Sequence, residues 1–131
     1  MENGSAPAKR ILVVDDEENM LRTVQFILES AGYRVLTARN GAEALERIRS
    51  HGGPGGTVDL ILSDVQMPGL TGLELIDAIR GLGVRAPVLV MTGYGNREMA
   101  EELKRRGCGE FLDKPFEEEE LLERVRSLFG G

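Results

Sequence analysis

Hydrophobic positions along the chain fall into two periods that alternate from one end to the other. Ile11 to Val14, Leu60 to Leu62 and Val88 to Met91 are unbroken apolar runs rich in branched side chains, as expected of strands covered on both faces. Arg34 to Ala38 and Glu110 to Leu112 mix polar with apolar residues and read as strands at the edges of a sheet. Between the strands lie amphipathic stretches: Leu21, Val24, Ile27 and Leu28; Ala44, Leu45 and Ile48; Leu75, Ile76 and Ile79; Met99, Ala100 and Leu103; Leu121, Leu122, Val125, Leu128 and Phe129. Their i, i+3, i+4, i+7 spacing marks one helical face. Strand followed by helix, repeated along the chain, predicts an α/β domain. Parallel neighbours need crossover connections, so the helices cover both faces of a parallel sheet.

The strand order follows from the same pattern. With the first, third and fourth strands buried and the second and fifth at the edges, the natural order is 2-1-3-4-5, that of the flavodoxin-like (βα)5 three-layer sandwich. The winding then reverses between the first and third strands, which predicts a crevice at their carboxyl ends.

Punctuation agrees with these boundaries. Gly32 and Gly107 stand where they would cap the first and fourth helices at their C-termini, and Asn96 where it would open the fourth. The run His51 to Thr57, with glycines around Pro54, reads as a flexible loop entering the third strand. It has no Gly-Lys-Ser/Thr ending and does not open a helix, so it is not a phosphate loop. Residues 1–9 read as an unstructured leader or an extraneous remnant, and residues 10–129 as one domain; no internal repeat is present.

Composition narrows the class. The 131 residues carry 16 basic and 22 acidic side chains, a net charge of −6. That sign disfavours nucleic acid and anionic lipid as direct partners. Hydrophobic residues at 41% and mixed charges at 29% are too globular a mixture for a disordered chain. The single Cys108 excludes a disulfide framework or a cysteine-rich zinc site within one chain. No apolar run approaches the roughly 18 residues that span a membrane. The expectation is a cytoplasmic domain.

The polar residues at the strand ends carry the chemistry. Asp15 and Asp16 end the first strand, Asp64 the third, Thr92 the fourth, and Lys114 with Pro115 the fifth, all at the same edge of the predicted sheet. Singly, each Asp or the Thr reads as the N-cap of a following helix, and Lys114 as a surface lysine. Together they read as one site. Like charges about 4 Å apart repel by roughly 4 kcal/mol at an effective dielectric near 20, so three carboxylates call for a cation. Oxygen ligands without His or Cys favour a hard ion, and a site with few carboxylates suits Mg²⁺ better than Ca²⁺. Phosphoryl chemistry then follows, because a carboxylate can itself accept a phosphoryl group.

The segments RILVVDDE (10–17), LILSDVQMPG (60–69), VMTG (90–93) and FLDKPF (111–116) together resemble the receiver domain of two-component response regulators, over about residues 9–129. The resemblance implies that Asp64 is the phosphoacceptor and attacks a phosphohistidine on a sensor histidine kinase or a histidine phosphotransfer protein. It implies Mg²⁺ held by Asp16 directly, by Asp15 through water, by Asp64 and by the backbone carbonyl of Gln66. Thr92, Gly93, Lys114 and Phe111 become the phosphoryl-binding and switch residues, and Lys114–Pro115 a cis peptide. The implied role is a switch rather than an enzyme with an external substrate, acting on a downstream protein or an output domain not in this chain, with homodimerisation through the last two helices as a further possibility.

Some positions depart from the family pattern. Gln66 stands where many relatives carry Asn, and Tyr94 is bulky; such positions flank the path of the hydrolytic water, which implies slow self-dephosphorylation. Phe111 lacks a tyrosine hydroxyl, so any switch there works by packing. The run Glu117 to Glu120 reads as first-turn acids opposing the helix dipole. Cys108 reads as a small buried hydrophobe and His51 as solvated. Two other functions compete with the switch. A phosphorylation-independent, receiver-like adaptor module is disfavoured by the full set of Asp15, Asp16, Asp64, Thr92 and Lys114. A haloacid-dehalogenase-like phosphatase is disfavoured because its Asp-x-Asp follows the first strand, whereas here that strand ends Asp15-Asp16-Glu17.

Overall fold

The computed structural model describes residues 9–51, 58–64, 72–92, 101–102, 104–105 and 110–130. Five strands, β1 (Arg10–Val14), β2 (Arg34–Ala38), β3 (Leu60–Asp64), β4 (Val88–Thr92) and β5 (Glu110–Asp113), form one sheet of order β2-β1-β3-β4-β5. Every adjacent pair is parallel, so the 2-1-3-4-5 flavodoxin-like order and the two edge assignments hold. Four helices are described in full: α1 (Glu18–Ser30), α2 (Gly41–His51), α3 (Gly72–Gly81) and α4 (Glu118–Leu128).

Alternation along the strands builds two cores. In β1, Leu12 and Val14 pack with Ile61, Val88 and Val90 against Ala44 and Ile48 of α2 and Leu75, Ile76 and Ile79 of α3. Ile11 and Val13 pack on the opposite face with Leu60, Leu62, Leu89 and Met91 against α1 and α4, through Leu21, Val24, Leu28, Leu121 and Val125. The stripes read from spacing on α1, α2, α3 and α4 pack into these cores, with Leu45, Leu122, Leu128 and Phe129 only partly buried, and β1, β3 and β4 are covered on both faces; Met99, Ala100 and Leu103 lie outside the described residues.

Four strands extend one or two residues beyond the apolar runs. Arg10, Ser63, Asp64, Thr92 and Asp113 all lie within strands despite their polarity, because backbone pairing in the ladder does not depend on the side chain. His51 is the last residue of α2 rather than the first of a loop. The expected glycine loop over 52–57, Asn96, Gly107 and Cys108 lie outside the described residues. So does most of the helix expected over 97–106, of which residues 101–102 and 104–105 are helical.

Helix ends follow local rules. After α1, Gly32 adopts φ +99°, with its amide bonded to Glu29 O (3.0 Å) and the Tyr33 amide to Leu28 O (3.1 Å). This 6→1 and 5→2 pair closes the helix in a Schellman motif that needs a left-handed residue at its centre. Gly83 (φ +86°) repeats the arrangement after α3, with Gly83 N–H donating to Arg80 O (3.0 Å) and Val84 N–H to Ile79 O (3.4 Å). The Arg80 guanidinium fastens the following link by donating to Val84 O (3.0 Å) and Ala86 O (2.9 Å). At the start of α4, Glu117 is the N-cap residue and Glu118, Glu119 and Glu120 fill the first turn, where carboxylates oppose the macrodipole.

Nothing lies within 4 Å of a Cβ built on Gly32. Gly32→Ala therefore costs only the left-handed backbone penalty, about 1–2 kcal/mol, whereas Leu62→Ala empties a fully buried site and costs about 2–5 kcal/mol. Urea unfolding of the two variants against the parent checks the ranking.

Candidate functional site

The carboxyl ends of β1 and β3 adjoin, with Val14 opposite Ser63 in the register. That places Asp15 and Asp16 beside Asp64 at the point where the winding reverses. Thr92 ends β4 opposite Asp113 of β5, and Lys114 follows Asp113. The side chains of Asp15, Asp64 and Lys114 meet there: the Lys114 ammonium donates to Asp15 Oδ2 at 2.8 Å and to Asp64 Oδ2 at 3.0 Å. Asp16 completes an acidic group in which one oxygen from each of Asp15, Asp16 and Asp64 lies within 4.8 Å of the others.

The three carboxylates differ in exposure, and so in role. Asp15 is fully buried; its other oxygen, Oδ1, accepts the Glu17 amide at 2.9 Å. The capping reading of Asp15 is thus half true: it satisfies an orphan amide at the start of α1, although the N-cap residue itself is Glu17, whose side chain makes no capping bond. Asp16 is exposed. The Asp64 side chain keeps 12% of its surface open, enough for an oxygen to be reached from outside. Beside it the Ser63 hydroxyl, buried and polar, donates to Asp64 O at 3.0 Å. Ser63 is absent from the sequence reading because its only signal is a short polar residue between the end of an apolar run and Asp64.

Burial dominates at Asp15 and pushes its carboxyl above the ordinary carboxylate range, against the lowering effect of the Lys114 and Glu17 hydrogen bonds. Burial works to lower the Lys114 ammonium, but its hydrogen bonds to Asp15 and Asp64 outweigh that and hold it above the usual lysine value. Ionised, three carboxylates and one ammonium leave a charge of −2 in a crevice with restricted water access. An all-oxygen donor set of that charge fits a hard divalent cation of the Mg²⁺ type.

The structure accounts for the other expected site residues unevenly. The Lys114–Pro115 peptide is cis. Phe111 is half-buried and packs against the α2/α3 core, while its carbonyl accepts from Arg124 Nη1 of α4 at 2.8 Å. The backbone of Thr92 pairs opposite Asp113. Gln66, Gly93 and Tyr94, together with the side chain of Thr92, lie outside the described residues.

Comparison with known proteins gives a consistent result. Residues 11–126 match the response regulator receiver domain family. The chain is 35% identical over 117 residues to the transcriptional regulatory protein FixJ of Bradyrhizobium diazoefficiens, covering 89% of this chain and 55% of that protein. It is 30% identical over 128 residues to the polar-differentiation response regulator DivK of Brucella anthropi, covering 93% of this chain and 97% of that protein. Among solved structures, the chemotaxis response regulator CheY4 of Vibrio cholerae superposes with a TM-score of 0.81 at 34% identity, over 93% of this chain and 99% of that one. The chain spans about half the length of several of the curated relatives it matches.

If the acidic group holds a divalent cation in the folded state only, Mg²⁺ stabilises the fold by mass action, by about 1.4 kcal/mol at ten times its dissociation constant. Asp16→Asn, at an exposed position, should leave the metal-free midpoint close to the parent's and abolish the Mg²⁺-dependent rise in thermal unfolding temperature. An undiminished rise in that variant would remove Asp16 from the ligand set.

Proposed function

The chain belongs to the response regulator receiver domain family, and from that premise we propose that it is a phosphorylation-controlled switch in which Asp64 accepts the phosphoryl group. The observation that carries the reading is the Lys114 ammonium set between Asp15 and Asp64 at the carboxyl edge of the sheet. In the transfer, an Asp64 carboxylate oxygen attacks the phosphorus of a phosphohistidine on a sensor histidine kinase or histidine phosphotransfer protein. The new O–P bond forms as the N–P bond breaks, and the electron pair of the broken bond stays on the imidazole nitrogen. Phosphoryl transfer of this kind depends on in-line positioning and charge stabilisation and needs no general base from the chain.

The remaining site residues take the roles that membership of the family implies. Lys114 keeps its bond to Asp15 and turns its second donor from Asp64 Oδ2 to a phosphoryl oxygen, offsetting part of the added −1.5 to −2 charge. Asp15, Asp16 and Asp64, with the Gln66 carbonyl, would hold Mg²⁺. When bound, that ion supplies the rest of the charge neutralisation at the phosphoryl oxygens. The Thr92 hydroxyl and the Gly93 amide take phosphoryl oxygens on the β4 side, and Phe111 responds by repacking against the α2/α3 core. The output is a downstream protein or a further domain, in keeping with relatives about twice as long. The chain acts on no external substrate. Among the described residues no helix is long and apolar enough to cross a membrane, and the reading places the switch in the cytoplasm.

Incubation with Mg²⁺ and acetyl phosphate, followed by intact-mass measurement, tests this. One phosphoryl group is gained by the parent and none by Asp64→Asn or in the presence of a chelator. No gain in the parent would favour a phosphorylation-independent adaptor, and continuous release of phosphate from many monoesters a phosphatase. Once the donor is removed, the departures from the family pattern at Gln66 and Tyr94 should keep the phosphoryl group in place for minutes or longer. A lifetime of seconds in the same mass assay would show that these side chains do not obstruct water.

A further inference from the structure

Both outer strands turn hydrogen-bonding groups away from the sheet. On β2 the bonds from Arg34 N–H to Lys9 O (2.8 Å) and from Asp15 N–H to Ala38 O (3.1 Å) direct Arg34, Leu36 and Ala38 toward β1. Alternation in a parallel ladder then turns the amides and carbonyls of Val35 and Thr37 outward. On the other side, the bond from Ile61 N–H to Pro87 O (3.0 Å) directs Leu89 and Met91 toward β3, and thus Val90 and Thr92 toward β5. The β4–β5 register then has Glu110 and Leu112 facing β4 and turns Phe111 and Asp113 outward. Among the described residues neither edge has a further strand beside it. Such rows are templates for pairing with another chain.

One outward carbonyl on each edge is taken by an arginine. Arg47 of α2 donates from Nε to Thr37 O at 3.1 Å. Arg124 of α4 donates from Nη1 to Phe111 O at 2.8 Å and lies 3.6 Å from the Glu110 carboxylate. The two helices pack on opposite faces of the sheet, so the same contact is made from both layers. A guanidinium in that position occupies the acceptor, sets a charge across the edge and stands where an incoming strand would lie. The segment Arg34–Ala38 needs such cover, because Val35, Leu36 and Thr37 have high strand propensity and only Arg34 is charged.

We propose that Arg47 and Arg124 close the two sheet edges to strand addition by a second copy of this chain. With one edge opened, two copies pair edge to edge and growth stops at the dimer. With both opened, every copy offers two pairing edges and growth continues.

The test compares the parent, R47A, R124A, R47A/R124A and R47K/R124K by sedimentation velocity over a concentration series, with circular dichroism and amide hydrogen exchange on the same samples. Each alanine single variant should dimerise at least about tenfold more tightly than the parent, the double variant should form larger species, and the lysine pair, which keeps a charged donor at each edge, should sediment as the parent does. In the associated species the amides of Val35 and Thr37, or of Phe111 and Asp113, should exchange more slowly than in the parent while the helical signal is retained. Alanine variants that associate no more than the parent would overturn the proposal. So would association that leaves the edge amides unprotected, or that accompanies loss of the helical signal.

Discussion

The Lys114 ammonium between Asp15 and Asp64 is the interaction on which the functional edge depends. It joins residues 50 and 99 positions apart in the chain, and it can form only if β1, β3 and β5 all reach the same edge of the sheet. Asp15 is fully buried, and a buried carboxylate without a partner is costly. The ammonium and the Glu17 amide supply that partner on its two oxygens. Among the described residues this one ammonium faces three clustered carboxylates. Clustered carboxylates of this kind favour a nearby cation, and this is the sense in which the site is prepared for one.

The rest of the architecture serves to hold that edge still. Asp15 follows β1 and Asp64 ends β3, two of the three inner strands, packed on both faces by fully buried residues such as Leu12, Val13, Ile61 and Leu62. Dense packing of this kind has few alternative arrangements, so the backbone at the crevice is fixed by the core rather than by the site's own polar contacts. β5, at the sheet margin, is the least covered of the three contributing strands. It is held by β4 on one side and by the Arg124 contact to Phe111 O from α4.

Much of this was legible in the sequence, for reasons that particular residues make plain. Buried parallel strands must be continuously apolar, so Ile11–Val14, Leu60–Leu62 and Val88–Met91 announced both their identity and their central position. The sheet order then brought Asp15, Asp16, Asp64 and Lys114 together before any distance was known. What remained hidden was what periodicity does not encode. Ser63 follows an apolar run with one atom's worth of polarity and carries no spacing signal. Arg47 and Arg124 look like ordinary solvated helix residues, because a long side chain that reaches a strand carbonyl has the same sequence signature as one that reaches water. Gly81 and Gly83 both stand at the end of α3, and only the backbone conformation marks Gly83 as the left-handed counterpart of Gly32.

The alternation of β5 determines how far an event at the site can travel. Lys114 lies just past the strand's end, and the two residues before Asp113 point in opposite directions: Phe111 into the α2/α3 core and Leu112 into the α1/α4 core. A strand is stiff along its length, so a displacement of Lys114 that draws on β5 is felt in both layers at once. The layers differ in what they can absorb. Leu112 is fully enclosed and resists movement, whereas Phe111 is only half-buried and has room to change its packing. The softer response therefore lies on the Phe111 side of the sheet.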